Sequence, residues 1–217
     1  MTDAVVFDLD GVLVQSEELW DAARRQVAAD AGVPWPEGAT AAMMGMSSRE
    51  WSRYVHETIG VPLPPEEVNA VVLAWVMARY RQAVPWIDGA REAVARMAAR
   101  WPLALATSSN REIVDLVVQQ AGWAKTIAVT VSSEEVAAGK PAPDVYLEAA
   151  RRLGVEPAHA VAIEDSTNGL LSGAAAGLRV IAIPNPAHPP APHSLDVAAV
   201  VLPSIEQLAP AVVDRLG

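Results

Sequence analysis

What most constrains the fold of this chain is a succession of short apolar runs with helical patterns between them. Residues 4–7, 103–106, 161–163 and 180–183 are such runs, rich in small and branched side chains, and 126–131 is a weaker fifth. Runs of this kind read as buried strands of a parallel sheet. Ile113, Leu116, Val117 and Gln120 follow Asn110, a candidate N-cap, and Gly122 can close that helix. Tyr146, Ala149, Ala150 and Leu153 share a face after Pro143, and Gly154 ends the run. Strands alternating with helices predict an α/β fold with a doubly wound parallel sheet.

The stretch from residue 17 to 82 breaks this alternation, because it holds helical patterns and no strand. Leu19, Ala23, Val27 and Ala31 make one stripe; Val68, Val71, Val72, Trp75 and Val76 make another. Ser47, Ser48, Arg49 and Glu50 form a capping box that opens a third helix. The expected organisation is an α/β core made of residues 1–14 and 84–217, with an α-helical cap subdomain, residues 15–83, inserted after the first strand. The proline-rich stretches 61–65 and 184–193 read as loops.

Four polar clusters follow the apolar runs, at the strand ends where open α/β sheets put their ligands. Asp8 and Asp10 lie on one side of an extended chain, since side chains alternate with period two, and Gly11 lets the chain turn after them. Two acids so close need a cation or a shared proton. Thr107, Ser108, Ser109 and Asn110 bring hydroxyls and free N–H groups to a helix start, an anion site or simple N-capping. Lys140, between Gly139 and Pro141, is either a fixed phosphate partner or an exposed lysine. Glu164 and Asp165 are a second acid pair that suits a hard, oxygen-liganded cation such as Mg²⁺ or caps the helix after Ser166. Each cluster alone is ambiguous; the order acid pair, hydroxyl turn, lysine, acid pair is hard to produce by chance.

Composition closes off other classes. The net charge is −10, so nothing electrostatic draws the chain to nucleic acid or an anionic membrane. There is no cysteine, which excludes disulfides, thiolate catalysis and cysteine-ligated zinc. No targeting signal or uncharged span of membrane length is evident, so the expectation is a cytoplasmic protein.

With these residues in view, the chain resembles the haloacid dehalogenase superfamily, in the branch with a helical cap after the first motif that includes beta-phosphoglucomutase and sugar phosphatases. Phe7 to Leu13 looks like the first motif, Thr107 the second, Gly139 to Asp144 the third, and Glu164 to Leu170 running into Ala174 to Leu178 the fourth. The resemblance implies a Mg²⁺-dependent phosphatase acting on a small phosphomonoester, a sugar phosphate foremost. In it Asp8 would be the nucleophile, forming an aspartyl-phosphate, and Asp10 the general acid and base. Mg²⁺ would be held by Asp8, the main-chain carbonyl of Asp10, and Asp165, with Glu164 in or near the shell. Thr107 and Lys140 would hold phosphoryl oxygens, with added donors from the N–H groups of Leu9 and Ser108. The presence of Asp10 argues against dehalogenation, because members with that chemistry lack the second acid.

The cap would select the substrate. Ser16, Trp20, Ser48 and Arg49 are its candidate substrate residues, with Gly45 and Ser47 beside them and Arg79 and Arg81 weaker. Arg49 is either a bidentate oxyanion ligand or an exposed arginine of a first helical turn. The alternative activity is that of a beta-phosphoglucomutase-type phosphosugar mutase. Three departures weigh against it: Met44 stands where the mutase pattern has a basic residue, Trp20 where it has a histidine, and one extra residue separates Gly45 from Arg49. A receiver-type signalling domain would carry its phosphorylated Asp on a later strand, and a silent binding protein would have lost Asp8 or Asp10. The small-molecule substrate is the one partner expected, on a monomer or weak homo-oligomer.

Overall fold

The computed structural model describes residues 1–217. Six parallel strands form one sheet, in the order β3-β2-β1-β4-β5-β6. They are β1 (Ala4–Phe7), β2 (Leu103–Thr107), β3 (Ile127–Ser132), β4 (Ala160–Glu164), β5 (Arg179–Ala182) and β6 (Val200–Val201). The first strand lies in the middle, with Val5 in register with Leu103 on one side and Val161 on the other. The chain winds outward from β1 through β2 to β3, then crosses to β4 and winds the other way. That reversal makes the C-terminal end of β1 the switch point, where a doubly wound sheet opens a crevice.

Alternation along the strands sorts the two faces by size. Val5, Phe7, Leu103, Leu105, Val161, Ile163 and Ile181 face one apolar cluster. Ala4, Val6, Ala104, Ala106, Ala160, Ala162 and Ala182 face the other. The alanine-rich face lets helices α7 (Asp144–Leu153) and α8 (Thr167–Ala175) come close. At Gly173 a side chain would lie 3.2 Å from Ala162 and Val180, so α8 packs there almost backbone to sheet. Helices α5 (Ala90–Ala98) and α6 (Arg111–Ala121), with α9 (Pro210–Asp214) near the C-terminus, belong with the larger-residue face.

Between β1 and β2, ahead of α5, lie α1 (Glu17–Asp30), α2 (Ala39–Met43), α3 (Ser48–Tyr54) and α4 (Pro65–Tyr80), and no strand. Helix α3 runs on into a π turn, Val55–Ile59. Its capping box forms: the Glu50 carboxylate accepts from the Ser47 N–H at 2.8 Å and from its hydroxyl at 2.6 Å. The stripe predicted for α4 needs correction. Its buried residues are Val68, Val72, Val76 and Tyr80, at four-residue spacing, whereas Val71 is 48% exposed. Two chain segments join this helical insert to the sheet and run antiparallel as they pass. The Gln15 N–H donates to the Pro85 carbonyl at 2.8 Å and the Ile87 N–H to the Leu13 carbonyl at 3.0 Å.

Predicted boundaries shift by a residue in places. The strand expected over 126–131 is 127–132, since Thr126 has helical backbone angles at the end of the 3-10 turn Trp123–Lys125. The edge strand β6 was not expected: two residues are too few for any periodicity to show.

Candidate active site

The site begins with the continuation of β1. The Asp8 N–H donates to the Ile163 carbonyl at 3.0 Å, which extends the ladder one residue past the strand and fixes Asp8 beside β4. The chain then turns tightly, with Leu13 and Val14 N–H groups both returning to the Leu9 carbonyl. Gly11 has φ +80°, and a Cβ there would collide with the Asp165 carboxylate. A side chain is excluded twice, by backbone angle and by space.

Lys140 is buried and reaches across to both acid pairs. Its Nζ donates to Asp8 Oδ1 at 2.7 Å and to Glu164 Oε1 at 2.6 Å, and lies 5.0 Å from the centre of the Tyr146 ring. Burial works to lower the lysine pKa, but the charges of Asp8 and Glu164 outweigh it and the pKa rises, so Lys140 is an ammonium ion. Glu164 is saturated: Tyr146 donates its hydroxyl to Oε1 at 2.8 Å, and the Asp165 N–H and Ser166 hydroxyl donate to Oε2 at 3.1 and 3.2 Å.

Asp165 is the opposite case. Both of its carboxylate oxygens are buried and neither has a hydrogen-bond partner. Burial, then the charges of Glu164 and Asp8, push its pKa well up. Burial also raises Asp8, against Lys140 and with Glu164 and Asp10 adding to the rise. Oxygens of Asp8, Glu164 and Asp165 all lie within 4.8 Å of one another. With all three carboxylates ionised against one ammonium, the pocket would hold an excess of about two negative charges, which is why Asp8 and Asp165 resist ionisation without a cation. An all-oxygen set with that deficit fits a hard divalent cation. The Asp10 main-chain carbonyl, which accepts no backbone N–H, is a further oxygen at hand.

Asp10 points its Oδ2 at the hydroxyl turn after β2. Ser109 donates to it at 2.6 Å and Thr107 at 3.3 Å, while Oδ1 is buried and unpartnered. The N–H groups of Leu9 and Ser108 have no backbone acceptor, so two donors stand open between the strand ends. The predicted core residues Asp8, Asp10, Thr107, Ser108, Lys140, Glu164 and Asp165 thus come together, though the Ser108 hydroxyl is turned to the insert and donates to the Gly45 carbonyl at 3.1 Å.

Above Asp10 is a cavity of about 60 Å³ between the insert and the sheet, lined among others by Ser16, Glu17, Trp20, Arg24 and Trp51. It takes in two of the four cap residues singled out from the sequence, Ser16 and Trp20. The others lie apart from it. Ser48 is buried and donates to Glu134 at 3.1 Å, and Arg49 is exposed in a neighbouring cleft with Ser52, Arg53 and Asn69. Arg79 and Arg81 are exposed too. The capping box explains this: it fixes the first turn of α3 so that Trp51, not Arg49, faces inward. Sequence reasoning missed Arg24, although it follows Trp20 by four residues and so shares its face of α1. In the sequence Ser109 reads only as part of the hydroxyl turn and Tyr146 only as a residue of a packed helix face; their hydrogen bonds to Asp10 and Glu164 are not foreseen there.

Against known proteins, the family model described as haloacid dehalogenase-like hydrolase matches residues 2–177. The chain is 33% identical over 189 residues to hexitol phosphatase B of Escherichia coli strain K12, covering 84% of each chain. It is 30% identical over 187 residues to a bifunctional riboflavin kinase/FMN phosphatase of Arabidopsis thaliana, covering 85% of this chain but spanning only 49% of that longer protein. Among solved structures, a beta-phosphoglucomutase of Clostridium difficile superposes with a TM-score of 0.85 over 100% of this chain and 97% of that one; at 19% identity the likeness is one of fold.

Proposed function

The chain belongs to the haloacid dehalogenase-like hydrolase family, and on that premise we propose that it is a Mg²⁺-dependent phosphatase that hydrolyses a small phosphomonoester, a sugar phosphate foremost, through an aspartyl-phosphate on Asp8. The observation that carries this reading is the pairing of Asp8, held by the Lys140 ammonium at 2.7 Å, with Asp165, whose two buried oxygens lack any donor. On this reading Asp8 as the nucleophile and Asp165 as a cation ligand would act side by side at the switch point. The phosphatase name of the Escherichia coli relative supports the same reading.

Asp8, Asp165 and the Asp10 carbonyl would hold the metal ion, with Glu164 beside them. When bound, the ion neutralises phosphoryl charge and offsets the repulsion between Asp8 and the incoming anion. Lys140 and the open N–H groups of Leu9 and Ser108 bind the phosphoryl oxygens. Asp8 Oδ attacks phosphorus as the bond to the leaving oxygen breaks, and a proton on Asp10 Oδ1 goes to that oxygen. Two hydroxyls occupy Oδ2, so Oδ1 is the oxygen left to carry the proton. Water then gives a proton back to Asp10 and attacks phosphorus, and the Asp8 carboxylate departs, releasing inorganic phosphate. Glu164 acts by aiming Lys140.

Residues 15–83 would serve as the cap. The insert covers the crevice at the end of β1, so on this reading substrate enters with the cap swung away. The crossing at Gln15 and Pro85 is the natural hinge. A phosphomutase is the second reading, and Arg24 in the cavity favours it, because a mutase must grip a second phosphate. Met44 and Trp20 bring no charge to that grip, which favours hydrolysis.

Turnover of a panel of phosphomonoesters with Mg²⁺ or with EDTA, scoring free phosphate and isomerised product, separates these. Free phosphate in the Mg²⁺ arm alone is expected. Isomerisation with little release would make the protein a mutase, and no turnover of any ester would remove the proposal.

A further inference from the structure

Arg24 is the one cation that lines the cavity above Asp10, and the core chemistry does not use it. It stands on α1, and its guanidinium carbon lies 5.7 Å from the centre of the Trp20 ring and 5.0 Å from that of Trp51. The two indoles are themselves in contact, tilted at 57° with centres 6.0 Å apart. An arginine beside two ring faces is held in place by cation–π attraction. Arg24 makes no side-chain hydrogen bond or ion pair, so its N–H groups stay available to a ligand. Yet Nε is buried with no hydrogen-bond partner. The acids around it, Glu17, Asp21 and Asp10, act on it through space without pairing. Asp21 is taken by Arg25 at 2.6 Å and by the Thr40 hydroxyl. Burial lowers the pKa of Arg24 to about 10, still far above neutrality, so the charge persists.

A half-buried cation whose Nε is sealed off without a partner is costly to the fold unless something pairs with it. Arg24 opens on the same cavity as Asp10, the residue beside the nucleophile. A ligand held at Asp8 by one phosphoryl group would carry its far end toward this arginine. From this geometry we infer that Arg24 binds a second oxyanion, a phosphate or carboxylate at the non-reacting end of the substrate, and so selects dianionic-ended substrates over plain sugar monophosphates. The inference rests on the phosphatase reading for the identity of the first group, but not for the binding at Arg24.

The test compares binding and turnover. Binding is measured by calorimetry with Mg²⁺ on Asp8→Asn and on the double variant Asp8→Asn, Arg24→Met. The ligands are a hexose monophosphate, the matching hexose bisphosphate and a phosphorylated sugar acid. The expected result is that Arg24→Met weakens the bisphosphate, the sugar acid or both at least about tenfold more than it weakens the monophosphate, the size of one charged bidentate contact. Whichever ligand suffers identifies the oxyanion. Equal weakening of all three would overturn the inference and leave Arg24 as a structural residue. Arg24→Lys serves if the Met variant is misfolded by circular dichroism: a point charge without the fork should recover only part of the difference. In turnover, Arg24→Met should raise KM more than it lowers kcat, and only for the double-ended substrates. If no ester turns over but the binding difference stands, the phosphatase reading fails while the anion site survives.

Discussion

Asp165 and Glu164 are neighbours with opposite needs, and the contrast decides what each can do. Glu164 accepts from Lys140, Tyr146, the Asp165 N–H and Ser166, so nothing further is required of it. Asp165 accepts from nothing. Its folded pKa is raised by burial, then by Glu164 and Asp8, from the ordinary 3.8. An acid raised in the folded state favours folding below its unfolded pKa, and that advantage is lost as pH rises through the folded value. Without a cation, therefore, Asp165 weakens the fold progressively above about pH 4. In EDTA, Asp165→Asn should be more stable than the natural chain at pH 7, with the two converging toward pH 4. Mg²⁺ should stabilise the natural chain and hardly affect the variant. Thermal melts over pH 4–8 in both buffers check this, and parallel curves in EDTA would contradict it. The identities of the core site residues were legible in the sequence because each follows an apolar run. The saturation of Glu164 was not, because its partners Lys140 and Tyr146 are brought to it by folding alone.

At the scale of elements, the start of α8 shows how a helix can serve as a wall. Ser166 caps it by accepting from the Gly169 N–H at 3.1 Å, and the same turn presses on the Glu164 carboxylate. A Cβ at Gly169 would overlap that carboxylate. Glycine to alanine inside a helix ordinarily gains about 1 kcal/mol. Here the sign reverses, because the alanine displaces the anion that anchors Lys140, and breaking such a buried pair costs about 3–5 kcal/mol. Gly169→Ala should lower the urea midpoint and abolish most turnover together; a more stable variant with normal rates would refute the packing argument. The helices were legible from their stripes and end signals: Asn110 and Gly122 bound α6, and Pro143 and Gly154 bound α7, as expected. The face of a helix was harder to read. On α4 the apolar residues spread round the cylinder, and contact with α1 and α3 selects 68, 72, 76 and 80 over 71. On α1, Arg24 reads as one more solvated charge until Trp51 arrives from another helix to cover it. That pairing lies 27 positions away along the chain, and no local period encodes it.

For the molecule as a whole, the alternation of strand and helix implied a doubly wound sheet; the strand order, with β1 in the middle, is a finding of the fold, and the crevice at β1 follows from it. What alternation could not convey is how tightly the helical insert sits on that crevice. Four side chains stitch the two: Ser108 to the Gly45 carbonyl, Asn168 to the Met44 carbonyl at 3.2 Å, Ser48 to Glu134, and Asn110 to Asn69 at 3.3 Å. Glu134 also accepts from Asn110 and from the Arg111 N–H, so one carboxylate ties the insert to the start of α6. These are polar contacts, each worth about 1 kcal/mol when the alternative is water. A handful of such bonds holds the insert against the sheet with only a few kcal/mol, about what a reversible opening can overcome. Asn168→Ala removes one bond and no charge, and Asn168 lies outside the acid cluster. If the insert opens as a unit, the variant should raise amide hydrogen exchange over residues 43–48 about fivefold, the factor equal to about 1 kcal/mol. Exchange in β1, β2 and β4 should stay as it was, because the sheet does not depend on closure. Exchange that is unchanged at 43–48 would mean the stitches do not hold the insert down, and the apolar packing beneath them does.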